Sequence, residues 1–467
     1  MLSHSLMKRI VGHVALCGAI TGTVMFPIAS VTSSLVAQGA RAGAPPTLII
    51  VSVDGMRPDY VSAADAHGIK VPALRELARI GAAATGVRGV VPTVTYPSHT
   101  TIVTGVNPAK HGILSNAPFD PFKKNAGGWY WYAEDIRVPT LWDIAASAGR
   151  STAAIQWPVT VGAKHITWNI PEIWHAGDAP DDYKLTRAVT TPGLIEETAS
   201  LGEYPGGAAA TFEADSLRGV YAEWILEHKH PSVLLLHVNA LDHVEHETGP
   251  FTPEVIAGLE RLDGVIGRFR KTAERVTGGN MVFAVVSDHG FMPYDAQLNL
   301  FVAFKNAGLI TVDSHNAVTD WAAMPWSTAQ GFAIVLKRSD DSATAARVRT
   351  VLTTLQADSA AGIDRVVDAA TLKTHDALPG VAFYVPLKSG WRSGSGFEGP
   401  VYSKVTPGGA HGGWFEHPEL YATFIVTGVH VPAGKSLGVI DLRDIGPTLA
   451  ALVGLPMPNV DGKNVLR

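Results

Sequence analysis

Short runs of apolar residues with the length of a β-strand recur along this chain, separated by stretches with helical periodicity. The first run covers residues 47–53. After it, Val71, Leu74 and Leu77 recur at helical spacing, with Pro72 near the start of this predicted helix. Strands that alternate with helices favour a mostly parallel sheet with helices on both faces, so we predict an α/β fold. Further runs of strand length lie at 151–156, 233–238, 281–287, 331–336 and 422–427.

The composition and charge of the chain narrow its class of function. With 46% apolar and 17% charged residues, its 467 residues can bury a large core in one large or two modest domains. The net charge of −5 gives no basic surface for a nucleic-acid polymer or an anionic membrane, so we expect neither partner. A phosphate-bearing substrate must then be neutralised locally, by metal ions or a few well-placed donors.

The first forty residues are typical of an export signal. Lys8 and Arg9 precede a mostly apolar run at 10–28, and small residues at 37–40 suit a cleavage site. We therefore predict a signal peptide at 1–40 and a periplasmic or secreted mature protein. A retained N-terminal membrane anchor stays open, because the apolar run approaches the length that spans a bilayer. The single cysteine, Cys17, lies in this leader, so the mature chain has no disulfide.

The remainder, 41–467, is interpreted as one catalytic domain. Its stretch from about 293 to 407 is interpreted as richer in loops and turns, and we predict a smaller, loop-rich inserted cap region there, bordering the site. In parallel sheets the ligand site lies beyond the carboxyl ends of the strands. This rule places Asp54, the stretch 242–246, Asp288 and His289 on one rim.

Hard oxygen and imidazole donors follow several of these predicted strands. Three aspartates and three histidines suit borderline divalent ions, zinc above all. Asp242 and His246 share one face if their segment forms a helical turn, because they are four residues apart. Each donor alone has an ordinary structural explanation, as a turn former, a helix cap or a solvated side chain. The candidate ligands are Asp54, Asp242, His246, Asp288, His289 and His411.

A cluster of hydroxyl residues between 93 and 101 supplies a candidate nucleophile. A hydroxyl attacks poorly at neutral pH unless a base or a metal ion helps to remove its proton. Thr95 beside a zinc ion would be activated in this way. The alternative is that Thr93, Thr95 and Ser98 only cap a helix, a common use of such residues.

As an ordered set, these motifs resemble the nucleotide pyrophosphatase/phosphodiesterase family of the alkaline phosphatase superfamily. The order is Asp, then Thr-Tyr-Pro-Ser-His, Asp-x-x-x-His, Asp-His-Gly and His-Gly, running from about Ile49 to His411. The resemblance implies an alkaline phosphatase-like fold and a two-zinc phosphodiesterase or nucleotide pyrophosphatase that acts through a covalent phosphothreonine. The implied substrate is a small phosphodiester or nucleotide.

Carried over residue by residue, the resemblance implies two zinc ions per chain. Asp242, His246 and His411 would hold one, and Asp54, Asp288 and His289 would hold the other together with the nucleophile Thr95. Asn116 matches the family asparagine that donates to a nonbridging phosphate oxygen. Tyr96 replaces the more usual phenylalanine after the nucleophile, and we expect it to stack against a base or other leaving group.

Three departures from the family pattern bear on the substrate rather than on the metals. Ala240-Leu241 replaces the Glu-Pro before the Asp-x-x-x-His motif, and Ser98 replaces an asparagine. The loop after His411 lacks the tyrosine-aspartate-asparagine pattern of many animal members. Trp157-Pro158 resembles the family Trp-Pro-Gly segment, with Val159 in place of glycine.

Other functions remain open at this stage. A related phosphomonoesterase would need extra cationic donors, for which Lys164 is the nearest candidate. Phosphonate or sulfate ester hydrolysis occurs in the same superfamily. An exported, metal-dependent binding protein is the alternative outside the enzymes, since one fold hosts many functions.

Overall fold

The structure is a computed structural model that describes residues 43–467 except 126, 175–178 and 208. The predicted signal peptide, 1–40, lies outside the described residues. The described strands, numbered β1 to β19 in chain order, are Thr47–Val53, Ala82–Ala83, Gly86–Arg88, Thr152–Ile155, Trp168–Ile170, Val233–Val238, Met281–Val286, Met292–Leu298, Ile310–Val312, Val318–Trp321, Ala323–Ser327, Gly331–Leu336, Val367–Asp368, Val381–Pro386, Gly390–Ser393, Tyr402–Ala410, Phe424–Gly428, Lys435–Ser436 and Val439–Asp441.

The α-helices of the same residues are numbered α1 to α14 in chain order. They are Asp59–Ser62, Pro72–Ile80, Thr95–Thr104, Pro108–His111, Leu141–Ser147, Ala179–Val189, Leu194–Glu197, Phe212–Lys229, Ala240–Thr248, Pro253–Thr277, Leu300–Asn306, Ser342–Ala357, Ala369–Thr374 and Ile445–Leu452. Short 3₁₀ turns connect several of them.

The central sheet has eight strands in the order β18-β2-β17-β7-β1-β6-β4-β5. Strand β1 pairs in parallel with both β6 and β7, and β4 pairs in parallel with β5 and β6. Strand β17 is antiparallel to its neighbours β7 and β2. The sheet is therefore mostly parallel, and the carboxyl ends of β1, β4, β6 and β7 meet at one edge.

Both faces of this sheet are buried, which explains why β1 reads as a continuous apolar run. Ile49 and Val51 pack into one core with residues of α2, α8 and α10. Leu48 and Ile50, which alternate with them, pack into a second core with residues of α3, α5 and α14. Alternate side chains of one strand thus enter opposite cores. The predicted α/β architecture with helices on both faces is what the structure has.

The segment between β7 and β17 has more regular structure than its sequence suggests. It contains a four-stranded antiparallel sheet, β11-β12-β14-β13, a three-stranded sheet, β15-β8-β16, and the helices α11, α12 and α13 around an apolar core of its own. The expectation that 293–407 is loop-rich was therefore wrong. Proline does not interrupt these strands, because Pro325 lies on the edge strand β11, and Pro407 and Gly408 lie at an irregularity of β16.

All described residues belong to one compact unit. Within 43–467, as far as the structure describes them, no helix combines the length and the apolar character that crossing a bilayer requires.

Candidate functional site

The predicted site residues lie beyond the carboxyl ends of the central strands. Asp54 follows β1 directly, and Asp288 and His289 follow β7 after Ser287. Helix α9 begins two residues after β6 and carries Asp242 and His246 one turn apart. The other two come from outside these strands, since Thr95 is the first residue of α3 and His411 follows β16.

The first group of donors surrounds His289. Its Nε2 atom lies 3.3 Å from Asp54 Oδ1 and 3.1 Å from Asp288 Oδ2. The hydroxyl oxygen of Thr95 lies 3.5 Å from the same nitrogen. These side chains are almost fully buried. The nucleophile predicted from the sequence therefore lies next to three of the predicted ligands.

The second group consists of Asp242, His246 and His411. The Nε2 atoms of the two histidines are 3.2 Å apart, and each lies 3.6 Å from a carboxylate oxygen of Asp242. The rings of His411 and His289 stack at a centroid distance of 3.6 Å. Donor atoms of Asp242, His289 and His411 also lie within 4.8 Å of one another, as do those of Asp54, Asp288 and His289. His289 thus lies at the junction of the two groups.

The carboxylates of the site have oxygens without hydrogen-bond partners. The buried oxygens without a hydrogen-bond partner are Asp54 Oδ1, Asp242 Oδ1 and Asp288 Oδ2. Burial, followed by the charges of Asp288 and Asp242, raises the pKa of Asp54 well above its usual range. A buried carboxylate without a partner costs folding free energy. A divalent cation that is coordinated by such carboxylate oxygens and by imidazole nitrogens removes this cost. The residues present therefore fit a pair of metal ions.

Residues that the sequence interpretation did not single out hold these ligands in place. His237 Nε2 lies 3.2 Å from Asp54 Oδ2, and His99 Nδ1 donates to the carbonyl oxygen of Thr95 at 2.9 Å. The backbone N–H of Gly55 donates to Asp288 Oδ1 at 3.2 Å. Such partners fix the orientation of metal ligands. A histidine inside the apolar run of β6 was the available signal, because a buried polar residue in a central strand needs a polar partner.

Backbone carbonyls orient the two histidines of the second group. His411 Nδ1 lies 2.9 Å from the carbonyl oxygen of Thr93, and His246 Nδ1 lies 3.0 Å from that of Gly409. A carbonyl oxygen only accepts, so each Nδ1 carries the proton and each Nε2 presents a lone pair toward Asp242. Both imidazoles are thus held in the tautomer that binds a metal ion through Nε2.

Asn116 lines the open cavity of the site, whereas Tyr96 does not. Asn116 Oδ1 accepts a hydrogen bond of 2.9 Å from the backbone N–H of Tyr96, which leaves the amide nitrogen free to donate. The Tyr96 ring is fully buried, with its edges against Trp129 and Trp131 at centroid distances of 5.2 and 5.9 Å. The expectation that Tyr96 stacks against a substrate was wrong for this structure, because its ring is already packed into the protein.

The segment that resembles Trp-Pro-Gly carries a strained residue. Trp157 is buried and packs edge-on against His99 at a centroid distance of 5.0 Å. Val159 has φ of 57°, in the left-handed region that favours glycine and disfavours β-branched residues. The valine therefore occupies the backbone conformation for which the family motif uses glycine.

A buried acidic residue, Glu172, lies near Tyr96, the residue that follows the proposed nucleophile. Burial raises its pKa to about 8, although Tyr96 and Arg218 nearby lower it in part. Its Oε1 lies 3.9 Å from His237 Nδ1, and its Oε2 has no hydrogen-bond partner. At neutral pH the side chain is therefore mostly protonated in the folded protein.

We expect Glu172→Gln to reduce the fall in the free energy of unfolding as the pH rises from 5 to 9. A carboxyl whose folded pKa is about 8 and whose ordinary pKa is 4.5 stabilises the fold fully below pH 4.5, and this contribution is lost as the pH rises through 8. The glutamine variant lacks this titration, so its free energy of unfolding should decline less between pH 5 and 9, by on the order of a few kcal/mol. Denaturant unfolding of metal-saturated wild type and variant across this pH range measures it; parallel curves would contradict the assignment.

A cavity of about 670 Å³ opens from this site toward the segment between β7 and β17. His246, His411, Asn116 and Val94 line its inner end. Lys164, the candidate cation of a monoesterase, is exposed and does not line it. A group attached to a phosphate at the donor groups would enter this cavity.

Solved structures place the chain among proteins with the alkaline phosphatase-like fold. Murine ectonucleotide pyrophosphatase/phosphodiesterase 5, an inactive threonine-to-alanine variant in complex with AMP, matches with a TM-score of 0.64 at 18% identity, over 90% of this chain and 97% of that one. The human protein of the same name matches with a TM-score of 0.63 at 16% identity, over 89% and 97%. The predicted fold class is confirmed.

The chain belongs to the type I phosphodiesterase / nucleotide pyrophosphatase family, whose profile matches residues 48–414. The family resemblance found in the motifs is thereby confirmed. Human ectonucleotide pyrophosphatase/phosphodiesterase family member 1 is 27% identical over 256 residues, which are 53% of this chain and 23% of the relative. Venom phosphodiesterase 2 of Crotalus adamanteus is 26% identical over 249 residues, 52% and 26% of the two chains. The matched part spans about a quarter of these relatives.

Proposed function

We propose that this protein is an exported hydrolase that cleaves phosphodiester or pyrophosphate bonds with two zinc ions and a covalent phosphothreonine at Thr95. The observation that carries the proposal is the position of the Thr95 hydroxyl, 3.5 Å from His289 Nε2, the imidazole nitrogen at the junction of the two donor groups. Family membership supports the reaction class. The murine protein adds support, because the variant of it that was solved with AMP is inactive and has alanine in place of a threonine.

The proposed zinc sites use the donors described above. Asp54, Asp288, His289 and Thr95 would hold one ion, and the remaining set, Asp242, His246 and His411, would hold the other. Bound zinc would help the Thr95 hydroxyl to lose its proton and would neutralise charge on the phosphoryl and departing oxygens. Each set combines aspartate carboxylates with histidine imidazoles, and these are donors that zinc prefers.

The residues of the chain account for the remaining steps. Thr95 Oγ1 attacks phosphorus, the bond from phosphorus to the departing oxygen breaks, and a phosphothreonine ester remains. Water then hydrolyses that ester and returns the proton to Thr95. The free amide N–H of Asn116 is available to donate to a nonbridging phosphoryl oxygen, whose charge grows during attack.

The charge around the cavity favours a diester over a monoester. Among the described residues that line it, Lys123 is the single lysine or arginine, and it is exposed at the rim. A phosphomonoester carries a second negative charge that such a site leaves unmatched. A diester carries one negative charge, for which the metal ions and Asn116 suffice. The monoesterase alternative is therefore less well supported.

A direct assay tests the reaction class. Purified protein should cleave bis(p-nitrophenyl) phosphate and the p-nitrophenyl ester of thymidine monophosphate faster than p-nitrophenyl phosphate. The activity should disappear with a chelator and return with zinc, because the donor groups are built around metal ions. Release of nitrophenolate measures each rate. Faster monoester cleavage would assign a phosphatase, and no metal-dependent turnover would favour the binding-protein alternative.

A further inference from the structure

The cavity beside the donor groups is asymmetric with respect to the nucleophile. His246 and His411 of the second donor group line it together with Val94 and Asn116, whereas Thr95, Asp54 and the other donors of the first group do not. In an in-line displacement the departing oxygen leaves on the side opposite the attacking oxygen. A group that occupies this cavity therefore lies on the side of the departing oxygen.

The wall of the cavity away from the donor groups is apolar and largely aromatic. Phe119 and Trp326 are half-buried and contact each other at a centroid distance of 5.8 Å. Phe301 and Phe397 contact each other at 5.7 Å and line the same wall. Further apolar residues of the lining are Val94, Pro118, Pro121, Trp129, Val318, Met324 and Pro325.

The charges at the rim do not suit a pyrophosphate as the departing group. Apart from the histidines, the charged residues among the described lining are Asp120 and Lys123, of opposite sign and three positions apart on one loop. A departing pyrophosphate carries several negative charges and needs a set of cations, and the uncharged donors of the lining, such as Asn125, Ser327 and Ser395, do not neutralise it. An uncharged group needs none, and aromatic walls bind flat rings through edge and face contacts.

We propose that this cavity is the leaving-group subsite and takes an uncharged aromatic alcohol, with Phe119 and Trp326 as the specificity-determining residues. The inference rests on the proposed function, because it assigns the departing group of that reaction. In the balanced step the Thr95 hydroxyl gives its proton to water and Oγ1 forms a bond to phosphorus. The bond from phosphorus to the aryl oxygen breaks, and the aryl oxide leaves and takes a proton from solvent. The described residues of the segments 115–125, 127–129 and 318–329 thus jointly select the substrate.

The test compares two diesters that differ only in the size of the aromatic leaving group, methyl phenyl phosphate and methyl 2-naphthyl phosphate. Their leaving groups have similar basicity, so a difference in kcat/KM reports contacts with the ring. We expect wild type to prefer the naphthyl ester by about tenfold, and Trp326→Leu and Phe119→Leu to reduce the preference to about twofold. Trp224→Leu is the matched control, because this half-buried tryptophan lies on α8 and not in the cavity lining.

Calorimetric binding to the zinc-loaded Thr95→Ala variant separates the two proposals. About tenfold tighter binding of the naphthyl ester, lost when Trp326→Leu is added, supports the subsite even if wild type turns over neither ester. Equal affinity for both esters, or a preference that both cavity variants retain, overturns it. A wild-type preference for a methyl decyl over a methyl 2-naphthyl phosphate would also overturn it, in favour of an alkyl group.

Discussion

Thr95→Ala should lose phosphodiester hydrolysis by roughly four orders of magnitude or more while it still folds and binds metal. The reason is the loss of the proposed attacking oxygen, which lies 3.5 Å from His289 Nε2 in the first donor group. The variant removes a hydroxyl and a methyl group from the first turn of α3, and neither belongs to an apolar core cluster. The kcat for a p-nitrophenyl diester, together with metal content, measures the effect.

Two variants in the same helix sharpen this test. Thr104→Ala is the matched control, because Thr104 is buried in α3 and its hydroxyl donates to the carbonyl oxygen of Thr100 at 2.7 Å. It should keep near-normal kcat. Thr95→Ser keeps the attacking oxygen and should retain measurable activity, and acid quenching during turnover should trap phosphate on residue 95. Turnover by Thr95→Ala at more than about one per cent of wild type would exclude the covalent route.

The positions of the donors after strands were predictable because parallel strands end at the same edge of a sheet. Strand β1 lies between β7 and β6 and pairs in parallel with both, so the residues that follow these three strands converge. A run of apolar residues followed by Asp54 or Asp288 carries this information in the sequence alone. Residue type alone made Thr95 and His411 candidates, and the family motif implied their roles. Their positions depend on long connections that no local pattern determines.

The antiparallel direction of β17 and the sheets between β7 and β17 were not predictable in the same way. Direction and pairing depend on contacts between distant segments, whereas the apolar pattern of 422–427 is the same in either direction. In the inserted segment, Pro325 and Pro407 read as turn signals, yet both lie in strands at an edge or an irregularity. Proline is correctly a turn signal in the local sequence, but pairing with distant strands placed these two prolines in sheets.

The site also shows where residue type alone misleads. Tyr96 follows the nucleophile, and its aromatic ring suggested a stacking surface, but Trp129 and Trp131 bury it. Those tryptophans are more than thirty positions away, so their contact with Tyr96 is invisible in the motif. The aromatic residues that face open space, Phe119 and Trp326, come from other segments and carry no family signature.

Removing metal should destabilise the wild-type protein strongly, because the bound ions compensate clustered carboxylates. An ion present at 100 to 1,000 times its dissociation constant contributes about 3 to 4 kcal/mol, so two ions should raise the midpoint of thermal unfolding by on the order of 10 °C. Asp54→Asn should lose a large part of this rise. Without metal the same variant should melt at or above wild type, because its neutral amide no longer repels Asp288 and Asp242, which help to raise the pKa of Asp54.

Asp263→Asn separates this effect from the general loss of a buried carboxylate. Asp263 is also buried, but it lies on α10 and accepts hydrogen bonds from the backbone N–H groups of Ala73 and Leu74 at 3.0 and 2.7 Å. Its asparagine variant should lower the melting temperature equally with and without zinc, because it does not touch the donor groups. If Asp54→Asn instead destabilised the metal-free protein as much as the zinc-loaded one, Asp54 would be a structural hydrogen-bond partner of His237 Nε2. The paired carboxylates would then owe their arrangement to the fold rather than to metal ions.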